Sequence, residues 1–250
     1  MLLSFSILKF IFIMADSPTI RKINSLLLKR FGKPYRAPVL PDPIDLLIAT
    51  VLSQNTNDKN SYKAYKNLKD KYKHWHQLKN VPVKELTNTI RTAGLANQKA
   101  ETIKKIFSSL FAKNKSASLE YLNDLNNEDT IKELTKIKGV GVKTASCVLL
   151  FAMDRDICPV DTHVHRTLNR IGIVKTTSPD KAFFEINKNF PLGIAHSFHT
   201  NLLKLGRGYC KANEVKCITC PLIKVCNFEE KSLSESSLKA ENSFMLLDNV

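Results

Sequence analysis

Apolar residues recur at three- and four-residue spacing along most of this chain, the period of helices that bury one face. The runs Ile20–Arg30, Ile44–Leu52, Val83–Ala93, Ala100–Phe111 and Ala195–Leu205 carry it. Strand-like alternation is scarce, and there is no internal repeat. Two stretches interrupt the pattern. Pro34, Pro38, Pro41 and Pro43 punctuate Lys33–Pro43 and break any helix there. A second break falls at Asp154–Val160, around Cys158-Pro159. The pattern predicts an all-α protein of two helical domains. A continuous central domain, 42–155, is inserted between an N-terminal helix and a C-terminal half, so that 18–41 and 156–228 pack together.

The chain ends lie outside this pattern. Met1 to Met14 is apolar apart from Ser4, Ser6 and Lys9. It has no basic leading segment and is too short to span a bilayer. Residues 1–17 therefore read as an N-terminal extension, with Met14 as an alternative start, rather than as a membrane anchor. Beyond about Phe228 the sequence turns acidic and Ser-rich, and 229–250 is expected to be a disordered, solvated tail.

Composition adds size and charge. With 250 residues, 43% of them hydrophobic, the chain can bury a sizeable core. Its 38 basic and 23 acidic residues leave a net charge of +15. The tail from Glu229 holds five acids and two lysines, so the folded part is more basic still. Such a surplus points to a polyanionic partner, most readily nucleic acid, although a merely soluble Lys-rich protein would share it.

Four of the six cysteines fall in a Lys-rich segment as Cys210-x6-Cys217-x2-Cys220-x5-Cys226. Thiolates so close together repel and oxidise unless a cation holds them. Zinc sites usually come as paired C-x-x-C knuckles, and only Cys217 and Cys220 form one. The wider, unequal spacing of the outer pair suits a 4Fe–4S cubane, with zinc and a disulfide framework as alternatives. Clustered ligand cysteines, and Cys147 within an apolar run, suit a reducing compartment.

The sharpest local signal in the middle of the chain is Thr130–Ala145. Thr130 and Glu133 make a capping box, which starts a short helix there. Gly139-Val140-Gly141 then turns the chain tightly, and Val142 to about Met153 resumes as a nearly all-apolar helix. Glycines that allow close backbone approach, followed by a helix N-terminus, make a phosphate site. The spacing is not that of a Walker A loop. An ordinary helix–turn–helix corner is the plainer alternative, and the net charge favours the DNA backbone.

Lys143 lies in the first turn of that apolar helix, at the positive end of its dipole, where the cationic form is disfavoured. Desolvation acts in the same direction, the one that makes an amine a nucleophile. Taken alone, the position fits a phosphate-binding lysine better. Asp161, in Pro159-Val160-Asp161-Thr162-His163, is placed to N-cap a helix that Gly172 ends. A capping carboxylate can also sit beside an active amine.

Together these residues resemble the endonuclease III family of helix–hairpin–helix DNA glycosylases over roughly 20–228. Four signals in order carry the resemblance: Leu52-Ser53-Gln54-Asn55-Thr56-Asn57-Asp58, Gly139-Val140-Gly141-Val142-Lys143-Thr144-Ala145, Val160-Asp161-Thr162-His163, and the spacing of Cys210, Cys217, Cys220 and Cys226. The resemblance implies a six-helix barrel with the hairpin, and a domain built from both chain ends around a structural 4Fe–4S cluster. It also implies Lys143 as catalytic lysine and Asp161 as essential aspartate. A damaged base is flipped from duplex DNA, Lys143 displaces it, and a Schiff base leads to β-elimination 3′ to the lesion. Gln54 or Asn55 would fill the gap left by the flipped base. Leu95 would wedge the strands apart, with core packing as its alternative. Gly139 and Gly141 would meet the DNA backbone, and Lys211 and Lys216 would present a loop to phosphates. The adenine-specific mismatch branch lacks a lysine at the position of Lys143, which argues against it.

Other residues add little. His163 and His165 lie two apart on a helix and point to different faces. His74 and His76 are uninformative, and His196 and His199 read as packing residues. The function expected is a bifunctional glycosylase and abasic-site lyase of base excision repair, acting on oxidised pyrimidines. It is expected to be monomeric, unattached to membrane, and located in the cytoplasm at the nucleoid, or in the nucleus of a eukaryote. Two alternatives are a mismatch-specific thymine or uracil glycosylase and a non-catalytic helix–hairpin–helix DNA-binding protein. Lys143 together with Asp161 disfavours the second.

Overall fold

The structure, a computed structural model, describes residues 17–233, 246–248 and 250. The apolar N-terminal extension, through residue 16, lies outside the described residues. The described residues form ten α-helices and short 3-10 turns, and contain no strand beyond an isolated bridge between Cys210 and Val215. The all-α expectation is met. No described helix is long and apolar enough to cross a membrane.

Helix α1 (Ser17–Phe31) buries Ile20, Ile23 and Leu27 on one face. Gly32, at φ +73°, closes it by donating its N–H to Leu28 O at 2.8 Å. The proline-rich stretch then crosses the molecule, tied down by Arg36 to Leu150 O (2.9 Å) and Asp154 (2.8 Å). Helix α2 (Pro43–Ser53) starts on the Asp42 cap with proline in the first turn, the position where a missing N–H costs nothing. Ile44 and every residue from Leu46 to Leu52 are buried, as a nearly all-apolar helix requires, and half-buried Asp45 is paired with Lys69 at 2.9 Å. Each fully buried leucine or isoleucine contributes about 1.5–3 kcal/mol, so α2 is the spine of the fold.

Around α2 pack α3 (Asp58–Lys71), α5 (Ala96–Asn114) and α7 (Val142–Phe151). Helix α4 (Val83–Thr89) rests on α5, and α6 (Asn127–Thr135) on α7. A second group joins α1 to α10 (Ala195–Gly208), α10 to α8 (Thr162–Ile171), and α8 to α9 (Pro179–Asn187). Helix α7 touches both α9 and α10, and so couples the two groups.

Three expectations need correction. The Val83–Ala93 run is not one helix: α4 ends at Thr89, and Arg91–Ala93 is a separate 3-10 turn. The capping box does not start α6. Asn126 does, accepting from Asp129 N at 2.9 Å, with Glu128 and Asp129 in the first turn at the positive end of the dipole. Thr130 instead hydrogen-bonds back to Asn126 O inside the helix, and Glu133 pairs with Lys113 and Lys136. Finally, the acidic tail is not wholly solvated. Residues 234–245 lie outside the described residues, but Leu246–Asp248 forms a 3-10 turn against α2 and α3, with Leu246 buried.

Candidate active site

The α6–α7 hairpin shows why each glycine is there. Gly139 has φ +102°, and a Cβ on it would stand 2.3 Å from Thr102 Oγ1 on α5. Only glycine fits on both counts. Gly141 has an ordinary φ of −93° and open space around its Cα, so neither conformation nor packing demands glycine there. What it leaves clear is the approach to the exposed hairpin surface. Val140 between them is buried and pins the turn to the core. The first N–H groups of α7 have no partners within the helix and point out of the hairpin.

Lys143 is half-buried in the first turn of α7 and reaches the Cys147 thiol one turn on. Asp161 is the N-cap of α8: its Oδ1 accepts from Val164 N at 2.7 Å. The two side chains line one cleft of about 560 Å³ between the helix groups, together with Gln54, Asn55, His199 and Arg207. Buried His199 donates from Nδ1 to Pro159 O at 2.9 Å, since a carbonyl can only accept. Burial, aided by the Lys143 charge and opposed by Asp161, holds its pKa down to about 4. It is therefore neutral, and it fixes the Pro159–Val160 backbone that delivers Asp161. His163 lines the same cleft while His165 turns away to Thr176, as their spacing predicts.

Two turns stand at the cleft's edge. Gln54 bonds to the hairpin, to Gly139 O and Thr144 Oγ1, both at 3.3 Å. Asn55 beside it is exposed with φ +50°. Leu95 is also left-handed, at φ +48°, and 54% exposed, so it is not a core residue. Non-glycine residues adopt that conformation only when their surroundings impose it, and such strain gathers at functional sites.

The four clustered cysteines are free thiols that sense one another. Burial first, then the sulfurs of Cys226, Cys210 and Cys217, push the Cys220 thiol up to about 11. Such a group becomes a thiolate only with a cation present. Among the described residues no three His, Cys, Asp or Glu converge tightly enough for a single ion. Four cysteine sulfurs are a donor set that a 4Fe–4S cubane takes, one at each corner. Arg170 supplies a positive neighbour 3.4 Å from Cys210 Sγ and binds Lys211 O at 2.6 Å, while Arg166 binds Cys210 O at 3.0 Å. Of the two loop lysines, Lys211 is on the surface. Lys216 is not: it is 5% exposed, held inward with Glu214 at 3.9 Å, which corrects its expected place against phosphates.

Periodicity gave no sign of several site residues. Asp58 on α3 pairs with Arg207 on α10 at 2.8 Å, joining the two helix groups across the cleft. Lys99 on α5 is buried, and burial lowers its pKa to about 8. Leu246 and Leu247 of the tail also line the cleft.

The cleft between the two helix groups thus brings Lys143 and Asp161 together beside the hairpin. The pattern of HhH-GPD superfamily base excision DNA repair proteins matches residues 48–192. Endonuclease III of Thermotoga maritima is 34% identical over 209 residues, 84% of this chain and 92% of its own. A DNA glycosylase homologue of Arabidopsis thaliana is 37% identical over 185 residues, 74% of this chain but 62% of its own length. A solved endonuclease III–DNA covalent intermediate is 32% identical with a TM-score of 0.70, covering 84% of this chain and 94% of that one. The chain belongs to the HhH-GPD superfamily of base excision DNA repair proteins, within its endonuclease III family.

Proposed function

We propose that this DNA glycosylase is bifunctional, removing oxidised pyrimidines from duplex DNA and then cleaving the strand through a Schiff base on Lys143. The observation that carries this reading is the meeting of Lys143 and Asp161 in one cleft beside the hairpin. The solved relative is a trapped covalent endonuclease III–DNA intermediate, which supports a covalent route. In this reading the barrel spans 42–155, and 18–41 packs with 156–228 as the cluster-bearing half.

The hairpin amides and Lys211 hold the phosphates, and the damaged nucleotide swings into the cleft. Asn55 fills the gap, because Gln54 is engaged with the hairpin, and Leu95 separates the neighbouring bases. Lys143 Nζ, unprotonated, forms a bond to C1′ as the glycosidic bond breaks, and the base leaves with the bonding electrons and takes up a proton. The free Oδ2 of Asp161 faces the positive charge that develops on the sugar. The nitrogen loses its proton, and its lone pair opens the sugar ring to an iminium on Lys143 as the C1′–O4′ bond breaks and O4′ takes up a proton. A C2′ proton is then removed, and the 3′ phosphate departs with the C3′–O bonding electrons. Cys210, Cys217, Cys220 and Cys226 would hold a 4Fe–4S cluster whose contribution is to fix the shape of the Lys211 loop.

A substrate panel tests the base preference. Duplexes carrying thymine glycol, a G·T mismatch or a G·U mismatch are compared by single-turnover base release. The thymine glycol duplex is expected to react fastest, and faster release from either mismatch would favour the mismatch reading. The tail is tested the same way. Leu246 and Leu247 occupy cleft wall that an extruded nucleotide must approach, so a chain ending at 233 is expected to release the base faster. An unchanged rate would show that the segment does not obstruct the cleft, and a slower one that it forms part of the binding surface.

A further inference from the structure

We infer that Lys99 is a positioning residue that locks the Asn55 turn and the Leu95 turn at one fixed separation, an inference that rests on the proposed roles of those two side chains. Lys99 lies one turn into α5 and is 2% exposed. Its ammonium donates to Leu52 O at 2.9 Å and to Ala93 O at 2.8 Å. The first carbonyl belongs to the last turn of α2, immediately before Ser53-Gln54-Asn55, and the second to the end of the 3-10 turn immediately before Gly94-Leu95. Neither partner is a carboxylate. The charge is spent on two backbone acceptors that helix ends leave without intrahelical donors.

Burying an ammonium against carbonyls alone is costly, and burial does push this amine's pKa down to about 8. A core that needed only to be filled would use methionine or leucine there. What the lysine adds is a joint contact to two loops 41 residues apart in sequence, at Leu52 and Ala93. Each loop holds a non-glycine residue in the left-handed region, Asn55 at φ +50° and Leu95 at φ +48°. Strained backbone of this kind persists only where neighbours over-determine it. If both side chains enter the same opened base step, their spacing must be set before DNA arrives, and Lys99 is the group that touches both supports.

The test is a double-mutant cycle on the full chain with Lys99→Met, Leu95→Ala and the double variant, using single-turnover release from a thymine glycol duplex. A second readout is 2-aminopurine fluorescence opposite a tetrahydrofuran site, which rises when side chains destack the bases. Lys99→Met is expected to slow release by on the order of 10²-fold, the cost of misplacing a positioned group by about 1 Å, and to abolish the fluorescence rise. The double variant is expected to be no slower than the worse single variant, because both remove one insertion event. Multiplying effects, or an unaltered Lys99→Met, would overturn the inference and leave Lys99 a packing residue. If Lys99→Met does not fold, Lys99→Leu, which also removes the donor, is read by the same criteria. A Leu95→Ala variant with normal rate and fluorescence would instead overturn the role given to Leu95.

Discussion

Lys143→Gln is expected to lose base release and strand cleavage together, by on the order of 10⁴–10⁶-fold, the range that deleting a covalent nucleophile costs. The fold should not suffer. Lys143 is half-buried in the first turn of α7, where the helix dipole disfavours a cation, so a neutral amide there is tolerated at least as well. Unchanged thermal stability and unchanged binding to a tetrahydrofuran duplex would assign the loss to chemistry. A variant that kept base release but lost only strand cleavage would mean that water, not Lys143, displaces the base.

Asp161→Asn is expected to lower base release by on the order of 10²–10³-fold, the cost of removing one group aimed at developing charge. The substitution is informative because Asp161 has two structural tasks that separate. Its Oδ1 caps α8 through Val164 N at 2.7 Å, and asparagine caps helices as well as aspartate. The charge disappears while the cap remains. Asp161→Ala should lose the same activity and in addition about 1 kcal/mol of stability from the missing cap. Equal rates for wild type and Asp161→Asn would leave the carboxylate a cap alone.

How much of this was legible in the sequence depended on the range of the interaction. The all-helical pattern, the turn at Gly139, the Asp161 cap and the Gly172 stop follow from neighbours within a few residues, and all were readable. So was the opposed orientation of His163 and His165, which helical period alone decides. The start of α6 was misread because Asn126, a competing cap four residues earlier, fits the helix better. Lys216 was misread because charge suggests exposure, whereas the loop folds its side chain inward towards Glu214. The Asp58–Arg207 pair and the two carbonyl contacts of Lys99 join distant segments, and no periodicity encodes them. Leu246 lies in the apolar run Phe244-Met245-Leu246-Leu247, a local signal outweighed by the acidic, Ser-rich composition of the tail that precedes it.

The most direct measurement is a trapping experiment on a duplex with a single abasic site, incubated with the protein and borohydride. An imine on Lys143 predicts a stable covalent protein–DNA complex with the wild-type chain and none with Lys143→Gln. No complex from a wild-type chain that still binds the duplex, or an equal yield from Lys143→Gln, would contradict it.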